Sequence, residues 1–183
     1  VDNKGIIATN STCLTDEPHI YAIGDVTTGP MLAHKASMEG KSVAELIAGH
    51  KVKQKNQAIP FCVYTDPEIA WTGLTERETQ RKGIKTRIGR FPLRALGRAR
   101  TLGRTDGLVK IISDPDTQRV LGVGMVGPQA SDLIAEATLA LQMKATLSDL
   151  MVTVHPNPTI SEAILEAAEA AAGIPIHIYP EKK

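Results

Sequence analysis

The chain has 183 residues, 42% hydrophobic and 22% charged, a globular composition long enough for one domain of ordinary size plus an appendage. A net charge of +1 gives no electrostatic case for nucleic acid or an anionic membrane, and no apolar run approaches the roughly 20 residues that span a bilayer. No signal peptide is expected, and Cys13 and Cys62 stand too far apart in sequence for metal-ligand spacing or a redox pair, so reduced thiols, a cytoplasmic setting and no metal site are expected.

Residues 1–5 read as a turn feeding a short strand over 6–9. A second strand, over 20–23, follows the turn-forming Asp16, Glu17 and Pro18 and ends in Gly24-Asp25. The spacing of Ala36, Val43, Ala44 and Ile47 predicts a helix over about 33–48, with Gly49 as its stop. Gly24 lets the backbone approach a ligand closely, and Asp25 offers a carboxylate to a sugar hydroxyl. Met31, Leu32, Ala33 and His34 put backbone amides at a helix start, where an electron-rich group is favoured. A bare Gly-Asp is also ordinary turn chemistry, and His34 is a positional contact rather than a base.

The polar run over 51–57 reads as a linker. Strands are expected over 59–64 and 69–73, separated by the Asp66-Pro67 turn, then a short helix capped by Thr75 and Glu78 and ended by Gly83. A strand is expected over 84–91. Residues 94–104 carry four arginines; with the net charge so low, a solvated loop with salt bridges is favoured over a phosphate or nucleic-acid patch. Strands over 108–112 and 120–126 flank the Asp114-Pro115 turn as a hairpin. Gly122 and Gly124 thin one face of the second, which predicts close approach of backbone or a helix. A helix is predicted over 131–143, with Leu133, Ile134, Ala137 and Leu141 as its apolar stripe, and Thr146 with Asp149 repeats the capping pattern.

The most informative stretch is 152–172. Pro156 and Pro158 push His155 and Asn157 toward extended backbone. Thr159 and Glu162 have capping-box spacing at the head of an alanine-rich helix that Gly173 and Pro175 stop. Polar groups at 155, 157 and 162 are therefore held on a stiff corner. By residue type alone, Glu162 is a capping carboxylate worth about 1 kcal/mol, and His155 is a hydrogen-bonded structural histidine. The tail over 176–179 is expected to be a short extended piece, and 181–183 to fray.

Hairpin-joined strands followed by helices predict an α+β domain, an antiparallel sheet with helices on one face, over 58–183. The corner resembles the histidine-proline-threonine-x-serine-glutamate element of the flavin disulfide reductases, and Ser161-Glu162-Ala163 is closer to the dihydrolipoamide dehydrogenases than to the glutathione reductases. Residues 18–25 with 31–34 resemble the second FAD motif of the same family. The resemblance implies that 1–50 are the last strand–helix piece of an FAD-binding α/β domain, 51–57 a linker and 58–183 the dimerisation domain. It implies FAD bound through Asp25, Gly24 and the 31–34 amides, with NAD as the acceptor. It also implies a homodimer in which the histidine and Glu162 serve the partner subunit's active site, and lipoyl domains of 2-oxoacid dehydrogenase complexes as partners.

The match breaks where the family keeps its acid–base histidine. That residue lies five before the glutamate, and here it is Asn157. An amide cannot exchange a proton near neutral pH, whereas imidazole can. A natural variant with altered chemistry, an engineered replacement, and His155 acting two residues away are the three explanations. Neither a glycine-rich dinucleotide loop nor a closely spaced cysteine pair is present in the chain. The fragment alone is therefore expected to be inactive. The other readings are a dimerisation module without chemistry and a related flavin reductase with a quinone or another acceptor.

Overall fold

The computed structural model describes residues 1–52 and 58–179, so part of the predicted linker and the end of the tail lie outside the described residues. The chain divides into two compact units, Val1–Gln57 and Ala58–Lys183.

In the first unit the two predicted strands do not form. A strand needs a neighbour that accepts its whole ladder, and here the bonds are scattered. Ile7 N–H donates to Val26 O, Thr15 N–H to Ile20 O and Ala22 N–H to Cys13 O, with a single bridge between Leu14 and Tyr21. The extended backbone leads into a 3-10 turn, Gly24–Val26, and then helix α1, Ala33–Ile47. Gly49 takes the left-handed conformation just past the helix, as its stop position requires.

The second unit is built on five antiparallel strands in the order β1-β2-β5-β4-β3: β1 Phe61–Val63, β2 Glu68–Gly73, β3 Arg87–Pro92, β4 Leu108–Ser113 and β5 Val120–Gly127. Register places two rows across one face. Ala70, Met125, Val109 and Phe91 form the first, and Thr72, Val123, Ile111 and Gly89 the second; the apolar members and Thr72 are almost fully buried. Helix α4, Ala130–Met143, covers β2 and β5 on this face, and α6, Glu162–Ala172, covers β3 and β4, with α5, Leu147–Val152, against α6. The opposite face is polar at its centre. There Trp71 stacks on Phe61 with ring centroids 4.8 Å apart, and Glu76 holds both Arg90 and Lys110 at 3.0 Å. This is the α+β arrangement expected, with the large core on one side of the sheet only.

Local chemistry explains most element ends. Thr75 and Glu78 close a full capping box on α2, Glu76–Arg81, as do Thr146 and Asp149 on α5. Asp114 Oδ1 accepts from the amides of Asp116 and Thr117 and from the Thr117 hydroxyl, which fixes the β4–β5 turn and lowers the Asp114 pKa. Glu68 accepts from the Ser131 amide and hydroxyl at 2.9 and 2.6 Å, tying the start of α4 to β2; those two bonds hold its carboxyl below the ordinary range.

Several expectations change. Residues 94–104 form a 3-10 turn and a short helix α3, Gly97–Thr101, rather than a loop, because Leu93, Leu96 and Ala99 bury one side while Arg94, Arg98 and Arg100 stay exposed. A Cβ at Gly122 would lie 2.0 Å from the Leu74 carbonyl oxygen, whereas one at Gly124 would stand an ordinary 4.0 Å from the Trp71 Cβ, so only Gly122 of that pair marks a close approach. The close approach of a helix comes instead at β3, where a Cβ on Gly89 would sit 2.2 Å from both Ala167 O and Ala171 N of α6. The alanine face of α6 therefore rests directly on strand backbone at a position lacking a side chain. The 176–178 segment is bent rather than extended.

Helix α6 also carries two carboxylates in poor surroundings. Glu166 is 6% exposed and contacts the His177 ring through Oε1, while Oε2 of Glu166 and of Glu169 are buried without a hydrogen-bond partner. Burial, with Glu166's charge as a smaller cause, pushes the Glu169 carboxyl above its ordinary 4.5, against a lowering by His177. A group raised on folding contributes stability below its unfolded pKa and loses it as pH rises through the folded value. Glu169→Gln is therefore expected to raise the melting temperature at pH 7 and to give no gain below pH about 4, as read by thermal melts of the chain at the two pH values. No helix among the described residues is long and apolar enough to cross a membrane.

Candidate functional sites and the family

The corner at 153–162 joins the end of α5 to the start of α6. The Asn157–Pro158 peptide bond is cis. Asn157 is exposed, and its Nδ2 donates to Glu162 Oε1 at 2.7 Å, while Glu162 Oε2 accepts from the Thr159 amide at 2.7 Å. The amide is oriented this way because an ionised carboxylate only accepts. Glu162 is thus locked at one oxygen, with the other aimed at residue 157. The predicted capping box is half formed. Thr159's hydroxyl donates to Pro156 O at 2.7 Å and lies 2.8 Å from Ser161 Oγ instead of taking the Glu162 amide, so Ser161 occupies the N-cap without a side-chain bond to the helix amides.

His155 stands apart from this pair. Its ring is 4% exposed, with Nε2 2.8 Å from Glu136 Oε1 on α4 and Nδ1 2.9 Å from Thr153 O. Both nitrogens are occupied within the chain, and the ring ties the arm to α4. Sequence spacing did not point to Glu136, which lies 19 residues back on another element.

In the first unit, Gly24 is buried at φ +74°, and a Cβ there would come within 3.0 Å of the Ala36 side chain. Asp25 is exposed and engages no partner among the described residues. Leu32 begins α1 without a side-chain cap, and the first intrahelical bond runs from Ala36 N–H to Leu32 O, so the amides of the first turn have no acceptor within the helix. Met31, Ala33 and His34 are exposed and Leu32 half-buried around them. A turn that excludes a side chain, a free carboxylate and an uncapped helix start together fit a flavin nucleotide: room for close backbone approach, an acceptor for hydroxyls and donors for an electron-rich ring edge. Sequence patterning missed what lies beneath, where Lys35 and Glu39 hold both backbone polar groups of Gly24.

A helix-backed antiparallel sheet ending in this corner, with such a turn earlier in the chain, describes the interface end of a flavin disulfide reductase. Residues 59–168 match the dimerisation domain model of the pyridine nucleotide-disulphide oxidoreductases, and residues 1–40 match a second model of that name. The chain belongs to the pyridine nucleotide-disulphide oxidoreductase family. It is 52% identical to the dihydrolipoyl dehydrogenase of Thermus scotoductus over 97% of its own length and 38% of that protein's. It is 48% identical to the dihydrolipoyl dehydrogenase of Bacillus subtilis, again over 97% of this chain and 38% of the relative. Among solved structures it superposes on LpdA from Mycobacterium tuberculosis with a TM-score of 0.84 at 31% identity, over 90% of this chain and 36% of that one. The Escherichia coli flavoprotein disulfide reductase RclA shares the fold, with a TM-score of 0.86 at 23% identity over 92% of this chain and 39% of that chain. The chain thus spans less than two fifths of the curated relatives it matches.

Proposed function

We propose that the chain is the C-terminal part of an FAD-dependent dihydrolipoyl dehydrogenase, with the end of the FAD domain over 1–50 and the dimerisation domain over 58–183. The observation that carries the reading is the locked Glu162 carboxylate presenting one oxygen to residue 157 at the head of α6. In the whole enzyme the two thiols of a dihydrolipoyl group are oxidised to a disulfide. In this reading the two electrons would go by way of an enzyme disulfide and FAD to NAD, with reduced NAD and one proton as products. FAD would supply the two-electron relay, and Asp25, Gly24 and the amides over 31–34 would hold it. Asn157 and Glu162 face the dithiol in the partner subunit's cleft, and His155 braces the arm they stand on. The exposed Ala135, Leu139 and Met143 of α4, with Val152 and Val154, form the apolar surface for an isologous homodimer. Lipoyl domains as substrates and a cytoplasmic setting belong to the same reading.

One observation favours an assembly module without chemistry: the amide at 157, which holds Glu162 yet cannot carry a proton. The two readings separate in a hybrid enzyme in which this chain replaces the matching segment of the Thermus scotoductus relative. A dimer holding one FAD per subunit, with dihydrolipoamide-dependent NAD reduction above background, is expected. A flavin-loaded dimer with no turnover leaves the assembly module. A hybrid that folds as a monomer without flavin contradicts both the cofactor and the dimer assignments.

A further inference from the structure

Lys35 is the most unusual side chain of the first unit. It lies in the first turn of α1, where a cation opposes the helix dipole, and it is 4% exposed. An ammonium so placed is costly unless every proton finds an acceptor. Here Nζ donates to Gly24 O at 3.1 Å and to Thr27 Oγ1 at 3.0 Å, and pairs with the Glu39 carboxylate at 3.0 Å. Glu39 Oε2 accepts from Gly24 N–H at 2.7 Å, and the Thr27 hydroxyl donates to Gly24 O at 2.8 Å. The lysine stem passes under Gly29, where a Cβ would stand 3.1 Å from Cε. Both backbone polar groups of Gly24 are thus gripped by one buried ion pair, and the same pair fixes the far side of the turn through Thr27.

Stability alone does not account for this arrangement. A lysine preceding a glutamate by four residues is the weaker order for a helix pair, and a buried pair is often replaceable by apolar side chains without loss. Together with the Thr27 amide and hydroxyl on Gly24 O, the pair holds Gly24 at positive φ, and it alone among these contacts takes the Gly24 N–H; it so sets where Asp25, the next residue, projects a carboxylate that engages no partner among the described residues. Resting on the flavin reading above, we propose that Lys35 and Glu39 are positioning residues for the cofactor: they fix the Gly24–Asp25 turn so that the Asp25 carboxylate meets the ribityl hydroxyls preorganised.

The test is a double-mutant cycle in the hybrid enzyme, read by FAD dissociation (fluorescence of released flavin) and by visible circular dichroism of bound flavin, not by turnover. The combined Lys35→Met and Glu39→Leu replacement removes the ion pair while filling its space. It is expected to weaken FAD binding about tenfold or more and to change the flavin dichroism. Adding it to Asp25→Ala is expected to weaken binding no further than Asp25→Ala alone, since the pair acts through that carboxylate. Additive losses, or unchanged affinity in the apolar variant, overturn the proposal and leave the pair as packing. Should the apolar variant not fold, Thr27→Val, which cuts only the hydroxyl from the network, is run through the same cycle: a loss absent from the Asp25→Ala background supports the proposal, and an additive loss or none overturns it. A parent hybrid that binds no flavin overturns the flavin reading itself, and is recognised by failing before any substitution is made.

Discussion

Asn157→His in the hybrid enzyme is expected to raise dihydrolipoamide oxidation by about 10²–10⁴-fold, the usual contribution of one positioned acid–base group. The seat is already built. Glu162 Oε2 is held by the Thr159 amide, and Oε1 lies 2.7 Å from the donor of residue 157. An imidazole there would give one N–H to Glu162 and leave the other nitrogen to take a thiol proton. Its gain should rise with pH through the imidazole range near pH 6.5, because only the neutral ring accepts a proton. His155→Ala is the companion measurement. With both ring nitrogens engaged by Glu136 and Thr153 and only 4% of the ring exposed, it is expected to lower stability more than it lowers turnover. No increase with Asn157→His would mean that residue 157 is not where the base belongs, and abolition of activity by His155→Ala would move that role two residues along the arm.

A large loss of stability is expected for Gly89→Ala. One methyl group would be driven to 2.2 Å from an oxygen and a nitrogen of the α6 backbone, and to 2.7 Å from the Ala171 Cα. These are main-chain atoms of a buried helix packed between β3, β4 and α5, so neither side can yield without shifting the element. Overpacking of this kind costs on the order of 3 kcal/mol, a fall of about 6–12 °C in melting temperature for a chain of this size. Because α6 carries Glu162 at its first position, the displaced helix should also loosen the corner. Thermal melts of the chain read the first effect, and hydrogen exchange at the Thr159 amide the second. A loss of less than about 0.5 kcal/mol, the range of ordinary surface changes, would show that α6 does not rest on β3 as described.

Which features were legible beforehand follows from the range of the interactions. The boxes at Thr75/Glu78 and Thr146/Asp149, the Asp114 turn, the span of α1 and the β4–β5 hairpin rest on residues within a turn of one another, and each formed where its spacing pointed. The box at Thr159/Glu162 has the same spacing and closed only halfway, since Pro156 O and Ser161 Oγ took the threonine hydroxyl. The strands expected over 6–9 and 20–23 had suitable residues but no neighbouring ladder among the described residues. His155 meets Glu136 of another helix, 19 residues back, a contact for which local spacing carries no signature.

The amino-acid order by itself determined the kind of elements, where most of them end and which residue types stand at 25, 157 and 162, because backbone preference and side-chain capping act between near neighbours in the chain. Tertiary structure alone decided that Gly89 gives α6 its seat, that Lys35 goes into the interior to grip Gly24, and that Glu162 turns its second oxygen toward Asn157. Steric exclusion and the pairing of buried charge depend on atoms brought together in space, and one-dimensional spacing carries no record of that distance.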